Sequence, residues 1–273
     1  MAKDFRFGLG LQAARRQQSV QDWGRRAEAM GYDVVHLPDH LYTTAPFPML
    51  TAVAMATETL RVGTFVLNAG FYKPALLARD VASLRDLSGG RFELGLGAGY
   101  VKEEFERAEL PFPTAGQRVD HLRHVTEHMG EHVPDVPLLI AGNGDRLLTI
   151  AAQRAHIVGL TGGGPATDDV DPLADRIAFV RDAAPGRFDD LELNLSIIAM
   201  PKDDSGVPDV SIARRFLPGL CDDELLRAPT VLSGSVGDMA DALRRYRDVY
   251  GVTYITVQQP HAEAFAKVIA ELR

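Results

Sequence analysis

The sequence predicts an α/β fold in which eight strand–helix units close into a parallel (β/α)8 barrel. The chain has 273 residues, and barrels of this kind commonly run to about 250 residues as one unit. Short apolar runs alternate with segments of helical spacing along the whole sequence. Because no internal repeat, low-complexity tract or linker divides it, we expect one domain over residues 1–273. A doubly wound open sheet is the structural alternative.

In the first half of the chain, local signals mark where helices begin or end. Ser19 followed by Asp22 resembles a capping box, which satisfies the free N–H groups at a helix start. Pro74 suits a first helical turn because its φ is already helical, and Gly89 and Gly90 stop that helix. The strands predicted here are 5–11, 34–37, 61–67 and 92–96, and the helices are the segments after 19, 49–57, from 74 and 117–129.

The second half shows the same alternation. Asp171 and Pro172 place an N-cap and an N1 proline before an apolar face, and Ser235 caps a later helix. Residues 201–234 are irregular apart from a helix near 212–216, and we interpret them as an elaborated loop. The strands predicted here are 138–141, 157–160, 192–199 and 254–257, and helices follow from 145, 171, 235 and 265.

Composition narrows the classes of function. Lys and Arg total 29 against 37 Asp and Glu, a net charge of −8, whereas a nucleic-acid or membrane-surface binder would need a basic footprint. The sequence has no apolar run long enough to span a membrane and no N-terminal segment typical of a secretory signal. Cys221 is the single cysteine, which excludes a disulfide framework and a cysteine-based zinc site within one chain. We expect a cytoplasmic protein that acts on a small molecule.

In a parallel barrel the active site forms at the carboxyl ends of the strands. Here polar residues and glycines cluster at five consecutive strand ends. None of them is specific alone, but their shared position is. They are Asp39 and His40 after the second strand, Asn68, Ala69 and Gly70 after the third, Gly95, Gly97 and Gly99 at the fourth, Gly142, Asn143 and Gly144 after the fifth, and Thr161, Gly162, Gly163 and Gly164 after the sixth.

The loops after the fifth and sixth strands predict a phosphate site. Glycines let backbone N–H groups approach a phosphate without obstruction by a Cβ. Residues 142–144 precede a helix N-terminus, where N–H groups and the helix dipole favour an anion, and residues 161–164 would lie beside them. The alternative is two glycine-rich turns that bind no ligand.

The glycines of the fourth strand do not predict a dinucleotide site. Residues 95–99 (GLGAG) differ from G-x-G-x-x-G, and no acidic residue follows in a clear βαβ unit. We therefore reject a Rossmann interpretation. Small residues such as Gly97 are better explained by room for a flat ring inside the barrel mouth.

His40 is the best acid–base candidate, because an unperturbed imidazole titrates near pH 6.5 and exchanges protons at neutral pH. Its neighbour Asp39 could accept a hydrogen bond from a ligand. The alternative is a helix-capping aspartate beside a structural histidine. The position of both residues at a strand end favours function.

Other titratable clusters point to no site. His121, His124, His128 and His132 would line one helical stripe, but their order is not H-E-x-x-H and no matching ligand set occurs elsewhere, so we expect no metal. The paired carboxylates at 168–169, 189–190 and 222–223 are expected in solvated loops, because they are adjacent in sequence and away from the early strand ends.

Three segments carry a family resemblance. Residues 39–100, which begin DHLYTT and end GLGAGY, resemble luciferase-like monooxygenases, and within them the oxidoreductases that use the deazaflavin coenzyme F420. The match continues over residues 140–164, which begin IAGNGD and end LTGGG, and over residues 236–258, which begin VGDMAD and end YITVQ. The resemblance covers most of the chain, strongest over 34–160 and weakest over 200–234.

The resemblance implies a TIM barrel with the cofactor ring in its mouth, and pairing as a homodimer. Asp39 would contact the ring, and His40 would give or take a proton near its C5. Asn68 and Ala69 would sit at a bulge after the third strand, where relatives often hold a non-proline cis peptide. The residues implied for the cofactor phosphate are Gly142, Asn143, Gly144, Thr161 and Gly162.

The sequence departs from the family pattern at three places. Members that oxidise a sugar phosphate have a glutamate where this chain has Tyr100, and a phosphate-binding lysine near Gly164. Both are missing, which argues against sugar-phosphate oxidation. The segment 130–137 (GEHVPDVP) between the helix after the fourth strand and the fifth strand is shorter than in relatives. We expect this to remove a piece of channel wall or lid.

The leading hypothesis is an F420-dependent oxidoreductase that transfers a hydride between the cofactor C5 and a small organic substrate, with His40 moving the proton and Tyr100 orienting the substrate. An FMN-dependent monooxygenase with the same barrel is the alternative, because both cofactors offer a tricyclic ring and a ribityl phosphate. A third hypothesis is a barrel that binds a flavin or deazaflavin without catalysis.

Overall fold

The computed structural model describes residues 4–11, 20–167 and 170–273. Ser19, which we predicted as a helix cap, and the pair at 168–169 lie outside the described residues.

Nine parallel strands of the described chain form one closed sheet in the order β3-β2-β1-β9-β8-β7-β6-β5-β4, with β3 also pairing β5. Strands β3 and β4 share one strand position around the barrel, and each such position is here called a stave. The sheet therefore has eight staves and is a (β/α)8 TIM barrel, as predicted, and the open sheet is excluded. The strands are β1 Arg6–Gly10, β2 Val34–Leu37, β3 Arg61–Thr64, β4 Leu67–Asn68, β5 Phe92–Gly97, β6 Leu138–Ala141, β7 Ile157–Leu160, β8 Glu192–Ile197 and β9 Val252–Gln258.

The helices surround this barrel. They are α1 Val20–Ala29, α2 Pro46–Ala54, α3 Pro74–Leu87, α4 Lys102–Arg107, α5 Ala115–His132, α6 Asp145–Arg154, α7 Pro172–Ala183, α8 Ala213–Phe216, α9 Asp222–Leu226, α10 Val236–Tyr250 and α11 Ala262–Leu272, with 3-10 turns at Ala69–Phe71, Pro185–Asp190 and Gln259–His261. The predicted caps are present: Asp171 accepts from two backbone N–H groups of α7, and Ser235 forms a capping box with Asp238.

The structure corrects four local predictions. The strand expected over 61–67 is interrupted between Thr64 and Leu67, and the strand expected over 192–199 ends at Ile197. Helix α4 was not predicted. Helix α9 begins at Asp222, where we expected a solvated loop. Short helices such as α4 and α9 have too few turns to show a clear 3.6-residue periodicity.

An ion network closes the amino-terminal end of the barrel. Glu93, 2% exposed, accepts from Arg6 at 2.9 Å and also pairs with Arg61. The guanidinium of Arg6 lies 4.2 Å from the ring centroid of Tyr254. These side chains place a paired set of charges inside the barrel at the starts of the strands, opposite the carboxyl ends.

The short connector before β6 lies at this closed end. Helix α5 runs to His132, so only residues 133–137 join it to β6. A connector from helix to strand is at the amino-terminal face of a (β/α)8 barrel, and the backbone N–H of Leu94 near the start of β5 donates to the carbonyl of Pro137. The expectation that this shortening opens the channel wall is therefore wrong, because the connector is opposite the mouth.

No helix in the described part of the chain has both the length and the apolar composition to cross a membrane.

Candidate active site at the carboxyl ends of the strands

Contacts between neighbouring loops join the second, third and fourth strand ends. The carboxylate of Asp39 accepts from the backbone N–H of Asn68 at 3.1 Å. A Cβ at Gly99 would lie 2.0 Å from Asn68 Oδ1, so the glycine brings the fourth loop directly against the third. Gly99 also has φ +73°, which favours glycine. These three predicted loops therefore form one continuous rim.

The same rim continues over the fifth and sixth strand ends. The N–H of Gly142 donates to the carbonyl of Gly159 at 3.4 Å. Beyond them, Gly162 has φ +75° and packs against Thr230, whose Cγ2 would be 2.6 Å from a Cβ at position 162. The five predicted loops thus lie on one rim. The segment after β8 packs, through Thr230, against the loop after β7.

His40 is held on this rim by a carboxylate. Its Nδ1 lies 3.1 Å from both side-chain oxygens of Glu104, and Oε1 of Glu104 also accepts from the backbone N–H of Leu41 at 3.2 Å. The Glu104 side chain is 5% exposed and that of His40 is 25% exposed. Because an ionised carboxylate can only accept, Nδ1 carries a hydrogen and Nε2 of a neutral ring is left as the proton acceptor.

Glu104 is the site residue that sequence reasoning missed. It lies on α4 and is separated from His40 by 64 positions. Phe105, 1% exposed, anchors the helix: a Cβ at Gly70 would lie 2.6 Å from its ring. The only signal in the sequence is a Glu-Glu-Phe run just after the glycines of the fourth strand, and that run does not distinguish Glu103 from Glu104.

One tyrosine stands beside His40, and a second, Tyr100, lies near that tyrosine. The ring of Tyr42 stacks on the His40 ring with centroids 4.9 Å apart and planes at 13°. Tyr42 is 69% exposed and Tyr100 is 74% exposed. Tyr100, predicted to orient the substrate, is therefore largely open to solvent, and its contact with a substrate stays a prediction.

Asp39 is tied into the scaffold. It accepts from the N–H of Asn68 and from the hydroxyl of Tyr72. Burial raises the pKa of Asp39, and these hydrogen bonds oppose that shift. The carboxylate braces the second strand end against the third, and its contact with a bound ring stays a prediction.

The glycines of the fourth strand make room for the irregular third stave. A Cβ at Gly95 would lie 2.0 Å from the carbonyl oxygen of Thr64, and one at Gly97 would lie 2.8 Å from Cγ2 of Val66. A non-proline cis peptide joins Phe65 and Val66, three residues before the bulge predicted at Asn68 and Ala69. The Cβ position of Gly97 therefore lies against Val66, and room for a flat ring beside Gly97 stays a prediction.

The loops predicted to bind phosphate leave donors accessible. Helix α6 has Gly144 at its N-cap, and no side chain caps its first N–H groups. A Cβ at Gly144 or at Gly164 would meet no atom within 4 Å. Asn143 and Thr161 are both exposed. Unsatisfied N–H groups with open space before them fit an anion, whereas Gly163, with φ +65°, lies against Pro172.

The histidine stripe of α5 contributes to structure. Nε2 of His121 is 3.1 Å from the carbonyl of Ala69 and 3.2 Å from that of Tyr72, which holds the turn below the rim. His128 and His132 stack on each other with centroids 3.8 Å apart. No group of three potential metal ligands occurs among the residues that the structure describes.

A family model, curated relatives and solved structures resemble this chain. A family model described as luciferase-like monooxygenase matches residues 4–205. The 5,10-methylenetetrahydromethanopterin reductase of Archaeoglobus fulgidus is 27% identical over 203 residues, which is 65% of this chain and 61% of the reductase. The F420-dependent glucose-6-phosphate dehydrogenase of Microbacterium testaceum is 34% identical over 135 residues, 45% of this chain and 40% of that protein.

The chain thus spans about 61% and 40% of the lengths of these two relatives. Among solved structures, an F420-dependent secondary alcohol dehydrogenase in complex with an F420–acetone adduct superposes with a TM-score of 0.79. That match covers 99% of this chain and 100% of the other at 16% identity, so it shows a shared fold.

Proposed function

The chain belongs to the luciferase-like monooxygenase family, and we propose that it is an oxidoreductase that uses coenzyme F420. Its reaction would be transfer of a hydride between the cofactor C5 and a small organic substrate. The relatives named for F420 dependence support the cofactor. The observation that carries the proposal is the buried Glu104 that holds Nδ1 of His40 on the barrel rim, while no hydrogen bond engages Nε2 among the residues that the structure describes.

The role proposed for His40 is proton transfer. When a hydride leaves the carbon of an alcohol, the hydroxyl proton must go to a base, and Nε2 of His40 would accept it. In the reverse direction the same nitrogen would protonate the carbonyl oxygen. Reduction of a conjugated double bond or an imine has the same requirement. A positioned acid–base group contributes typically about 10²- to 10⁴-fold to such a step.

The residues fit a cofactor with a ring and a phosphate. The uncapped start of α6, together with Gly142, Asn143, Gly144, Thr161, Gly162 and Gly163, would hold the phosphate. Asp39, Asn68, Ala69 and Gly97 would flank the ring at the second, third and fourth strand ends. The bound deazaflavin supplies the hydride chemistry, and the chain's own residues position it and move the proton.

Tyr100 would contact the substrate. Its exposed ring stands where relatives that oxidise a sugar phosphate carry a glutamate, so we propose a substrate other than a sugar phosphate. The alternative function is an FMN-dependent monooxygenase, because the family model is described as luciferase-like monooxygenase and the same anion site would accept the FMN phosphate. A barrel that binds such a cofactor without catalysis is the third candidate.

Fluorescence titration with coenzyme F420 and with FMN tests the cofactor. We expect F420 to bind more tightly. Binding of FMN alone, with turnover of reduced FMN and oxygen, would contradict the leading proposal.

Replacement of the histidine tests catalysis. With a panel of secondary alcohols, enones and imines, His40→Ala should lower kcat by about 10²- to 10⁴-fold while F420 binding changes little. His124→Ala, an exposed histidine of α5, is the matched control and should keep full activity. Tight F420 binding with no turnover of any panel member by the wild type would favour the non-catalytic barrel.

A further inference from the structure

The segment that carries Glu104 has little structure of its own to hold it in place. Residues 99–113, here called the α4 segment, leave β5 and return to α5, and their one helix has six residues and no side-chain cap at its start. Helices this short are marginal by themselves in water. Just after the helix, Glu109 has φ +55°, which is unfavourable for a residue with a side chain. Contacts from outside the segment must therefore keep Glu104 beside His40.

One side chain of α5 binds both ends of the α4 segment. Nε of Arg118 donates to the carbonyl of Gly99 at 2.8 Å, and Nη1 donates to the carbonyl of Pro113 at 2.6 Å. The first carbonyl lies where the chain has just left β5, and the second lies directly before the cap of α5. Arg118 is half-buried, and in the described part of the chain it makes no ion pair. Its guanidinium therefore serves these two carbonyls instead of a carboxylate.

Aromatic rings connect Arg118 to the helix that bears Glu104. The guanidinium carbon of Arg118 lies 4.3 Å from the ring centroid of Phe112. The Phe112 ring in turn packs edge-on against Phe105, with centroids 5.2 Å apart. Phe105 follows Glu104 directly in the sequence and is 1% exposed. Loss of the Arg118 contacts would therefore loosen the packing immediately next to the carboxylate that holds His40.

We propose that Arg118 is a positioning residue of the site: by holding the α4 segment at both ends, it keeps Glu104 within reach of Nδ1 of His40. The effect on catalysis rests on the proposed function, whereas the effect on the α4 segment does not. The planar guanidinium presents donors in two fixed directions, and a lysine ammonium is a compact point charge on a flexible stem. Arg118→Lys therefore keeps the charge and removes the fixed pair of donors.

A second arginine makes the same kind of contact at the opposite end of the barrel. Arg91 donates to the carbonyl of Leu60 at 2.6 Å and to the carbonyl of Ala54 at 2.7 Å. These carbonyls belong to the connector between α2 and β3, which lies at the amino-terminal face. Arg91→Lys is the matched control, because it removes an equivalent pair of donors without touching the rim.

The first test is kinetic and uses the full chain with F420 and a member of the alcohol, enone and imine panel that the wild type turns over. Arg118→Lys should lower kcat by about tenfold, because the proton-transfer group is less often in its productive position, while the Kd for F420 stays within about threefold. In a Glu104→Gln background the same substitution should lower kcat no further. Arg91→Lys should keep the kcat of the wild type.

The second test is amide hydrogen exchange of the full chain without cofactor. In Arg118→Lys, residues 100–112 should exchange about tenfold faster than in the wild type, because hydrogen bonds from a charged donor no longer oppose local opening. Exchange in α6 should not change. Arg91→Lys should leave the exchange of residues 100–112 as in the wild type.

Unchanged exchange or unchanged kcat in Arg118→Lys would overturn this inference. So would additive losses of kcat with Glu104→Gln, or an equal loss in Arg91→Lys. If Arg118→Lys does not fold, Phe112→Leu, which keeps the arginine and removes the ring beneath it, must show the same effects in weaker form. A wild type that binds no deazaflavin would overturn the proposed function, and the exchange measurement would still decide whether Arg118 holds the α4 segment.

Discussion

At the scale of single residues, the site depends on a carboxylate that touches no substrate in the proposed reaction. Glu104 accepts from His40 and from the backbone N–H of Leu41, so it fixes both the ring and the turn that carries it. A buried carboxylate in this position selects which imidazole nitrogen bears the hydrogen. We therefore treat Glu104 as a positioning residue for His40.

Glu104→Gln should lower kcat by about 10- to 100-fold, because a misplaced proton-transfer group loses its productive geometry. Affinity for F420 should stay within about threefold, which is a change of under about 1 kcal/mol in the free energy of binding. Glu103→Gln, the exposed neighbour, is the control and should keep wild-type activity.

The double variant separates positioning from general damage. If Glu104 acts through His40, Glu104→Gln should have no further effect on kcat in a His40→Gln background. Additive losses would show that Glu104 acts independently of the histidine.

At the scale of elements, the third stave decides the shape of the mouth. The sequence predicts one strand over 61–67, but the structure has two pieces joined at Phe65 and Val66. The glycines of β5 accommodate this break, since the carbonyl of Thr64 occupies the place where a side chain at position 95 would begin. The pattern of glycines was visible in the sequence, whereas its partner on the neighbouring stave was not.

Gly95→Ala should therefore destabilise the fold by about 1–3 kcal/mol, the usual cost of overpacking, because its Cβ would meet backbone that cannot rotate away. Gly130→Ala on α5, where a Cβ meets nothing within 4 Å, should leave stability unchanged or raise it by up to about 1 kcal/mol. Denaturant unfolding measures both. Equal stability of the Gly95 variant and wild type would show that the third stave shifts freely.

At the scale of the whole molecule, closing the barrel buries histidines. His36 is 2% exposed inside the barrel, and the Tyr254 hydroxyl lies 2.8 Å from its Nε2. Its Nδ1 has no hydrogen-bond partner within residues 4–11, 20–167 and 170–273. Burial lowers the pKa of His36 from 6.5 to about 4, with Arg6 adding to the effect and Glu93 opposing it. His261 at the end of the eighth stave is also 2% exposed, and burial likewise lowers its pKa to about 4.

These depressed pKa values predict loss of stability in acid. Above pH 6.5 both histidines are neutral in the folded and unfolded chains; as the pH falls from 6.5 towards 4, only the unfolded chain gains protons. Each histidine should then reduce the free energy of unfolding by about 1.4 kcal/mol per pH unit. The raised pKa of Asp39 acts in the opposite direction.

The variant His36→Gln tests this predicted loss of stability in acid. The quantity to compare is the slope of the free energy of unfolding against pH, not its absolute value. In urea unfolding across this pH range, the free energy of unfolding of the variant should depend on pH less steeply than that of the wild type. The expected difference is about 1.4 kcal/mol per pH unit, which corresponds to one proton. An unchanged slope would mean that His36 is protonated in the folded protein.

The sequence by itself determined the eight alternating units, the strand ends on which His40 and the glycine loops lie, and the resemblance to a barrel family. These features follow from local periodicity and from the rule that parallel strands bring their carboxyl ends to one face. Only the tertiary structure decided that Glu104 holds His40, that the connector before β6 is opposite the mouth, and that Thr64 and Val66 lie against the glycines of β5. Such pairings join residues far apart along the chain, and closure of the barrel creates them, so no local pattern encodes them.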